Sequence, residues 1–382
     1  MVDAPSPSRW LTVVIIAIVR VDLSDEQEFL REAVAGVLAR DATPARVREW
    51  ADARDPTAAD ELAIRQGWAG IGLAEELGGQ GGGIIELAVM AQELGATATP
   101  WDRLLGSALA LQALGVAGTD AGGELAAAVA DGDRAAVLCL DGRRLPAPWP
   151  ESVLDAGAVT LSADYVPGAA GADLVLPVAA DDGVRLLAVD AGQAIATPRP
   201  LVDHTRSLAS VELTGATAAE LGTIAPEGFA RAAATAAVLV AADALGAAAR
   251  LLEMTVAYVA DRRQFGVPVG SFQAVKHAAA TMLVDVEAAR SAVRYASWAV
   301  DSGAPEATMW ASIAKIHACG SAPQVADRAL FLHGAIGYTW EHDLQFCFKR
   351  TKSDELLFGG PDAHRDRIAD GLELIATLAP TG

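Results

Sequence analysis

Apolar and polar positions divide the chain into three stretches of different period. From Leu23 to about Gly132 apolar residues recur at helical spacing, and Ser24-Asp-Glu-Gln27 reads as a capping box ahead of Phe29, Leu30, Val34 and Val37. Between about Ala135 and Leu221 the pattern shortens. Runs rich in β-favouring residues (Ala136–Leu140, Ala158–Leu161, Leu174–Leu176, Val184–Val189, Val211–Leu213) alternate with Gly, Asp and Pro turns, which predicts a small β domain. From Pro226 the pattern is helical again, with no proline between Glu227 and Val267. At ~1.5 Å per residue such a helix is roughly 50 Å long. Phe265-Gly266 and Pro268 break it. A second helix is predicted from about Ser271, as N-cap, to Ser302, and a third from Pro305 to about His333 with Lys315 and His317 on its polar face. A last helical stretch carries Lys349 and Arg350. Asp243 and Gly246 fall inside the long helix, whose Ala and Gly allow the close packing of a four-helix bundle.

Composition narrows the function classes. With 382 residues, 52% apolar and 20% charged, the chain is globular and holds two or three domains. A net charge of −20 argues against nucleic acid and against an anionic membrane surface. Three cysteines without CxxC spacing point to a reducing, cytoplasmic compartment and to no metal site. The apolar run Trp10–Val19 is too short to span a bilayer.

Candidate chemistry concentrates at the end of the long helix. Arg262 and Arg263 at a helix corner suit a phosphate, because guanidinium offers a rigid bidentate fork. The glycine cluster Gly78–Gly83 lacks the preceding strand and βαβ unit of a dinucleotide fold. Asp203 and His204 have no nucleophile elbow beside them and read as structural. Glu341-His342-Asp343 reads as a loop cap, since three consecutive residues do not converge easily on one ion.

Arg262-x-Gln264-Phe265-Gly266, followed by Phe272-Gln273-Ala274-x-Lys276-His277, resembles the flavin-binding corner of acyl-CoA dehydrogenases. Gly334-Ala-x-Gly337-Tyr-Thr resembles the family's Gly-Gly-x-Gly-Tyr-Thr turn, and Gly78-Gly-x-Gly81 with Ala91-Gln-Glu-Leu-Gly95 resembles its N-terminal domain. The segment from Asp203 to Val211 is similar to the end of its middle domain. The resemblance covers nearly all of the chain after residue 22. It implies a helical N-terminal domain (22–134), a β-barrel-like middle domain (135–224) and a C-terminal four-helix bundle (225–382), assembled as a homo- or hetero-tetramer. Residues 1–21 then read as an extension foreign to the family or an artefact of the translation start. The resemblance further implies FAD as cofactor and α,β-desaturation of an acyl-CoA thioester, with Arg262 on the FAD diphosphate across a subunit interface. Gln264, Phe265, Gln273, Gly334 and Gly337 fall on further cofactor contacts.

The family's base is the departure. Its usual Glu aligns with Phe358, and the alternative position, about 26 residues before the corner Arg, holds Ala236. Asp243, seven residues beyond Ala236, is the candidate substitute; Asp354 and Glu355 read as facing solvent or Lys352. The flavin-facing Thr-Glu-Pro…Gly-Ser-Asp motif is not recognisable around Val166–Asp173, and a Gln before the glycine turn is replaced by Phe331. A completing subunit of a hetero-oligomer is the leading reading. A self-sufficient dehydrogenase with an unusual base, a dehydrogenase-fold oxidase or monooxygenase, and a non-catalytic binding protein remain open.

Overall fold

The computed structural model describes residues 22–371 except 151–153 and 156; the apolar run Trp10–Val19 lies outside them. Six helices come first: α1 (Asp25–Asp41), α2 (Pro44–Ala53), α3 (Thr57–Arg65), α4 (Ile84–Thr97), α5 (Asp102–Ala117) and α6 (Asp120–Ala130). The expected capping box starts α1: Ser24 Oγ accepts from Gln27 N at 3.2 Å and Gln27 Oε1 accepts from Ser24 N at 3.0 Å. The glycine cluster forms the turn between α3 and α4.

Eight strands follow: β1 (Ala136–Leu138), β2 (Leu154–Asp155), β3 (Ala158–Pro167), β4 (Asp173–Ala180), β5 (Gly183–Val189), β6 (Ile195–Pro198), β7 (Leu208–Thr217) and β8 (Ala219–Ile224). They make two four-stranded sheets, ordered β1-β4-β5-β8 and β2-β3-β7-β6. Among the described strand pairs only β1–β4 is parallel, and a single parallel bridge joins Trp149 to Val178. Alternation along each strand turns Leu174, Leu176, Val178 and Leu187 of one sheet toward Val159, Leu161, Val211 and Leu213 of the other, forming a closed apolar layer. Val175, Val184 and Leu186 point the opposite way, into the core shared with the helices. The sequence shows the strands but not this second burial, which comes from α5 lying across the sheet.

Helix α7 (Pro226–Asp261) organises the remainder. It is long and apolar enough to cross a membrane, yet 94% of its most apolar window is buried inside this protein, against α4, α8 (Gln273–Asp301), α9 (Ala307–His333) and α10 (Leu344–Leu356). A short α11 (Pro361–Gly371) packs on α9. A Cβ at Gly246 of α7 would overlap the carbonyl oxygen of Gln92 in α4, so the small residues do bring the two backbones together.

Two local expectations fail. Ser271 does not cap α8: the N-cap is Phe272, and Ser271 Oγ donates to Pro268 O at 2.6 Å. Lys315 is fully buried rather than on a polar face, because the end of α10 lies over it and takes its charge, whereas His317 is exposed.

Candidate functional site

The corner after α7 is built by turn chemistry. β9 (Arg263–Gln264) and β10 (Val267–Pro268) pair as a hairpin whose two-residue turn places Phe265 (φ 53°) and Gly266 (φ 81°) in the left-handed region. That is the geometry a type I′ hairpin requires. It pushes Phe265 into solvent, 92% exposed, with Phe272 edge-on at 6.2 Å. Arg262, Gln264 and Gln273 are exposed on the same corner, and neither Arg262 nor Arg263 joins an ion pair among the described residues. Tyr258, one turn before Arg262, stacks on His333 at the end of α9 with ring centroids 4.5 Å apart. This contact holds the glycine turn against the corner. Gly334 (φ 62°) ends α9 and is exposed; Gly337 is buried against Leu330 and His333. The six residues expected around the cofactor are therefore gathered at one end of the bundle.

The interior is different. Ala236, Asp243 and Phe358 are all fully buried. Asp243 Oδ2 accepts from Trp101 Nε1 at 2.9 Å and from Arg206, and Oδ1 accepts from Arg350 at 3.1 Å. Arg206 also pairs with Asp102 at 2.7 Å and with Asp354. Arg350 reaches Asp203 at 3.1 Å, Thr205 Oγ1 at 2.7 Å and the carbonyls of Ala98 and Thr99. Asp354 thus does not face solvent or Lys352, which pairs with Asp327 instead. These charges come from α5, α7, α10 and the loop before β7, and they lock the three parts of the chain together. Burial pulls the Arg206 guanidinium down, but Asp354, Asp102 and Asp243 more than offset it and raise it well above its ordinary value. Burial pushes Asp354 up to about 8 despite Arg206, with Asp243 adding to the rise. Its Oδ2 has no hydrogen-bond partner among the described residues.

The turn after α10 is tied by several backbone hydrogen bonds. Lys315 Nζ donates to Asp354 O at 2.6 Å and Glu355 O at 3.3 Å. Phe358 adopts φ 59°, donates its N–H to Gly142 O at 2.7 Å and accepts from His364 at 3.2 Å. Leu145 fills the space beside Gly359. Around Val166–Asp173, the end of β3 turns into β4 with Val166, Ala169 and Ala172 inside the β core, a structural role. An open cleft of about 1020 Å³ between α1, α4, α7 and α8 is lined by paired charges such as Arg31 with Glu28 and Arg290 with Glu287, and by none of the three base candidates.

A helical domain, a two-sheet β domain and a helical bundle around one long core helix, with a basic hairpin corner, define the class. Residues 24–123 match the family model described as acyl-CoA dehydrogenase, N-terminal domain, and residues 228–373 the one described as acyl-CoA dehydrogenase, C-terminal domain. The chain belongs to the acyl-CoA dehydrogenase family, flavoprotein oxidoreductases acting on CH–CH bonds. Among its relatives is acyl-CoA dehydrogenase IpdE2 of Mycolicibacterium smegmatis, 36% identical over 350 residues, 91% of this chain and 98% of that one. Among solved structures, the ChsE4–ChsE5 complex from Mycobacterium tuberculosis superposes with a TM-score of 0.81 at 25% identity, covering 93% of this chain and 99% of that one. A variant of the Tcur3481–Tcur3483 steroid ACAD gives 0.80 at 26% identity, covering 90% and 97%.

The family implies FAD. The corner fits an anionic dinucleotide: two guanidiniums without carboxylate partners beside bare aromatic and glycine surface. The region of the base positions does not fit a flavin and thioester, because the Phe358 turn is hydrogen-bonded directly onto the β1–β2 connection and Ala236, Asp243 and Phe358 have no free surface.

Proposed function

We propose that this chain is the completing subunit of a hetero-oligomeric acyl-CoA dehydrogenase, lending its Arg262 corner to the FAD site of a partner subunit that carries the base. One contrast carries the reading: the corner that would serve a neighbour is open and unpaired, while the chain's own base positions are closed. Arg262 would hold the diphosphate bidentately, Gln264 and Gln273 would offer amide contacts, and Gly334 and Gly337 would let backbone approach without a side chain in the way. When bound, FAD supplies the hydride acceptor for desaturation. This chain's residues bind and orient, and the α-proton passes to the partner's carboxylate. The solved relatives named as two-chain complexes support the assembly. The chain's likeness to a steroid ACAD supports a bulky lipid-derived acyl-CoA as substrate class. In this reading Asp243 is an anchor between domains rather than a base, since its carboxylate is saturated by two guanidiniums and an indole and is sealed from solvent.

The test is flavin absorbance of the purified chain, alone and co-expressed with a motif-complete dehydrogenase encoded beside it, with bleaching on adding acyl-CoAs. The proposal expects a colourless, inert chain and a yellow pair that bleaches. A chain that alone binds FAD and is reduced by an acyl-CoA overturns it. A pair that never holds flavin points to a purely structural protein.

A further inference from the structure

His333, the last residue of α9, is buried where three elements meet. Its Nδ1 donates to the carbonyl of Ala329, one turn earlier, at 2.8 Å, which leaves Nε2 as the nitrogen that can take a proton. One face of the ring lies on Tyr258 of α7, with centroids 4.5 Å apart and 20° between the planes. His342, in the loop before α10, meets it edge-on at 5.0 Å and 70°. That second ring is fixed in turn, because His342 Nδ1 accepts from the N–H of Leu344 at 3.2 Å. On the other side the stack is one hydrogen bond from the corner. Tyr258 O accepts from Arg262 N at 2.9 Å, and Arg262 O accepts from Val269 N at 2.8 Å. A line of contacts thus runs from His342 through His333 and Tyr258 to Arg262. Among the described residues, no carboxylate comes within ion-pair distance of either imidazole. Asp343 is taken by Arg48 at 2.8 Å, Asp261 and Glu341 are exposed, and Lys349 Nζ lies 4.1 Å from the Trp340 ring centroid. Burial pulls His333 below the ordinary imidazole range; the Ala329 bond opposes this and His342 adds to it.

We propose that His333 is a positioning residue: clasped between Tyr258 and His342, its neutral imidazole holds the Arg262 hairpin in place, and uptake of a proton by this pair of rings releases it. The hairpin's service to a partner rests on the completing-subunit reading above; the clasp itself does not. A proton on Nε2 puts a charge into a buried space whose titratable neighbour is a second imidazole rather than a carboxylate. Once detached, the ring titrates near 6.5 and takes up the proton first. The clasp is therefore favoured above about pH 6.5 and weakens as pH falls below it.

The experiment compares the wild type with His333→Phe, which keeps a flat ring but cannot titrate, and His333→Ala, which removes the ring. In the full chain alone, hydrogen-exchange protection of the amides of residues 262–266 is followed from about pH 8 to about 5.5, corrected for the intrinsic pH dependence of exchange. In the co-expressed pair, FAD dissociation is followed over the same range by released-flavin fluorescence, with assembly checked by sedimentation. Protection is expected to fall in acid in the wild type and to stay level in His333→Phe. FAD affinity of the wild-type pair should weaken about three- to tenfold more than that of the Phe variant across the range, and the Ala pair should be weak throughout. Wild-type protection that does not change with pH overturns the proposal without any variant. Parallel profiles in wild type and His333→Phe overturn it too, as does an assembled His333→Ala pair with native flavin affinity. A wild-type pair without flavin overturns the completing-subunit reading instead, and the protection profiles of the chain alone still decide the clasp.

Discussion

Replacing single carboxylates in the buried network separates an anchor from a base. Asp102, Asp203, Asp243 and Asp354 pair with Arg206 and Arg350, all buried. Burial pushes Asp354 up to about 8, so it holds its proton more readily than an ordinary carboxylate. Asp243→Asn removes a charge from between two guanidiniums and turns an amide N–H₂ toward their donors. Breaking a buried pair this way costs about 3–5 kcal/mol, roughly 4–6 °C in Tm for a chain of this size. Asp354→Asn copies the protonated acid, keeps an acceptor for Arg206, and should cost about 1 kcal/mol or less at pH 7. Calorimetry of both variants, with acyl-CoA turnover of the assembled pair normalised to folded protein, is the assay. A large Tm loss for Asp243→Asn, a small one for Asp354→Asn and unchanged normalised turnover are expected. If Asp243→Asn melts like the wild type while turnover collapses, Asp243 is a base and the anchoring argument is wrong.

Stability should also fall in acid through His364, whose imidazole burial, Lys315 and Arg367 push down to about 3. The unfolded chain, near 6.5, takes up the proton first, so stability present above pH 6.5 is lost from there down to about 3, by about 1.4 kcal/mol per pH unit. Urea midpoints between pH 7 and 5 should drop less steeply for His364→Asn than for the wild type, and equal slopes would refute the assignment. Gly246→Ala should force α4 and α7 apart and cost about 1–3 kcal/mol or more, because the new methyl meets the Gln92 carbonyl rather than a yielding side chain; an unchanged Tm would contradict that contact. Phe358→Glu should not create an active chain, since the side chain enters a sealed core, and circular dichroism should show destabilisation; acyl-CoA-dependent flavin bleaching by that variant alone would show the site is open.

Local chemistry was legible in the sequence wherever neighbours along the chain decide the outcome. The capping box at Ser24, the α–β–α order, the length of α7 and the break at Phe265-Gly266 follow from propensity, period and turn residues within a few positions. The corner motif was legible for the same reason, and so were the non-carboxylate residues at both aligned base positions. The buried network was not. Asp102, Arg206, Asp243, Lys315 and the Arg350–Asp354 pair of α10 lie on different elements; from the sequence alone Lys315 reads as part of a helix polar face and Asp354 as facing solvent. Only the docking of α10 and the Arg206 loop onto α5 and α7 brings them into one dry cluster, where long-range Coulomb attraction makes burial of their charges tolerable. Hydrophobic period specifies which faces go inward, whereas the partners of a buried charge are set by tertiary packing between residues 37 to 148 apart in the chain.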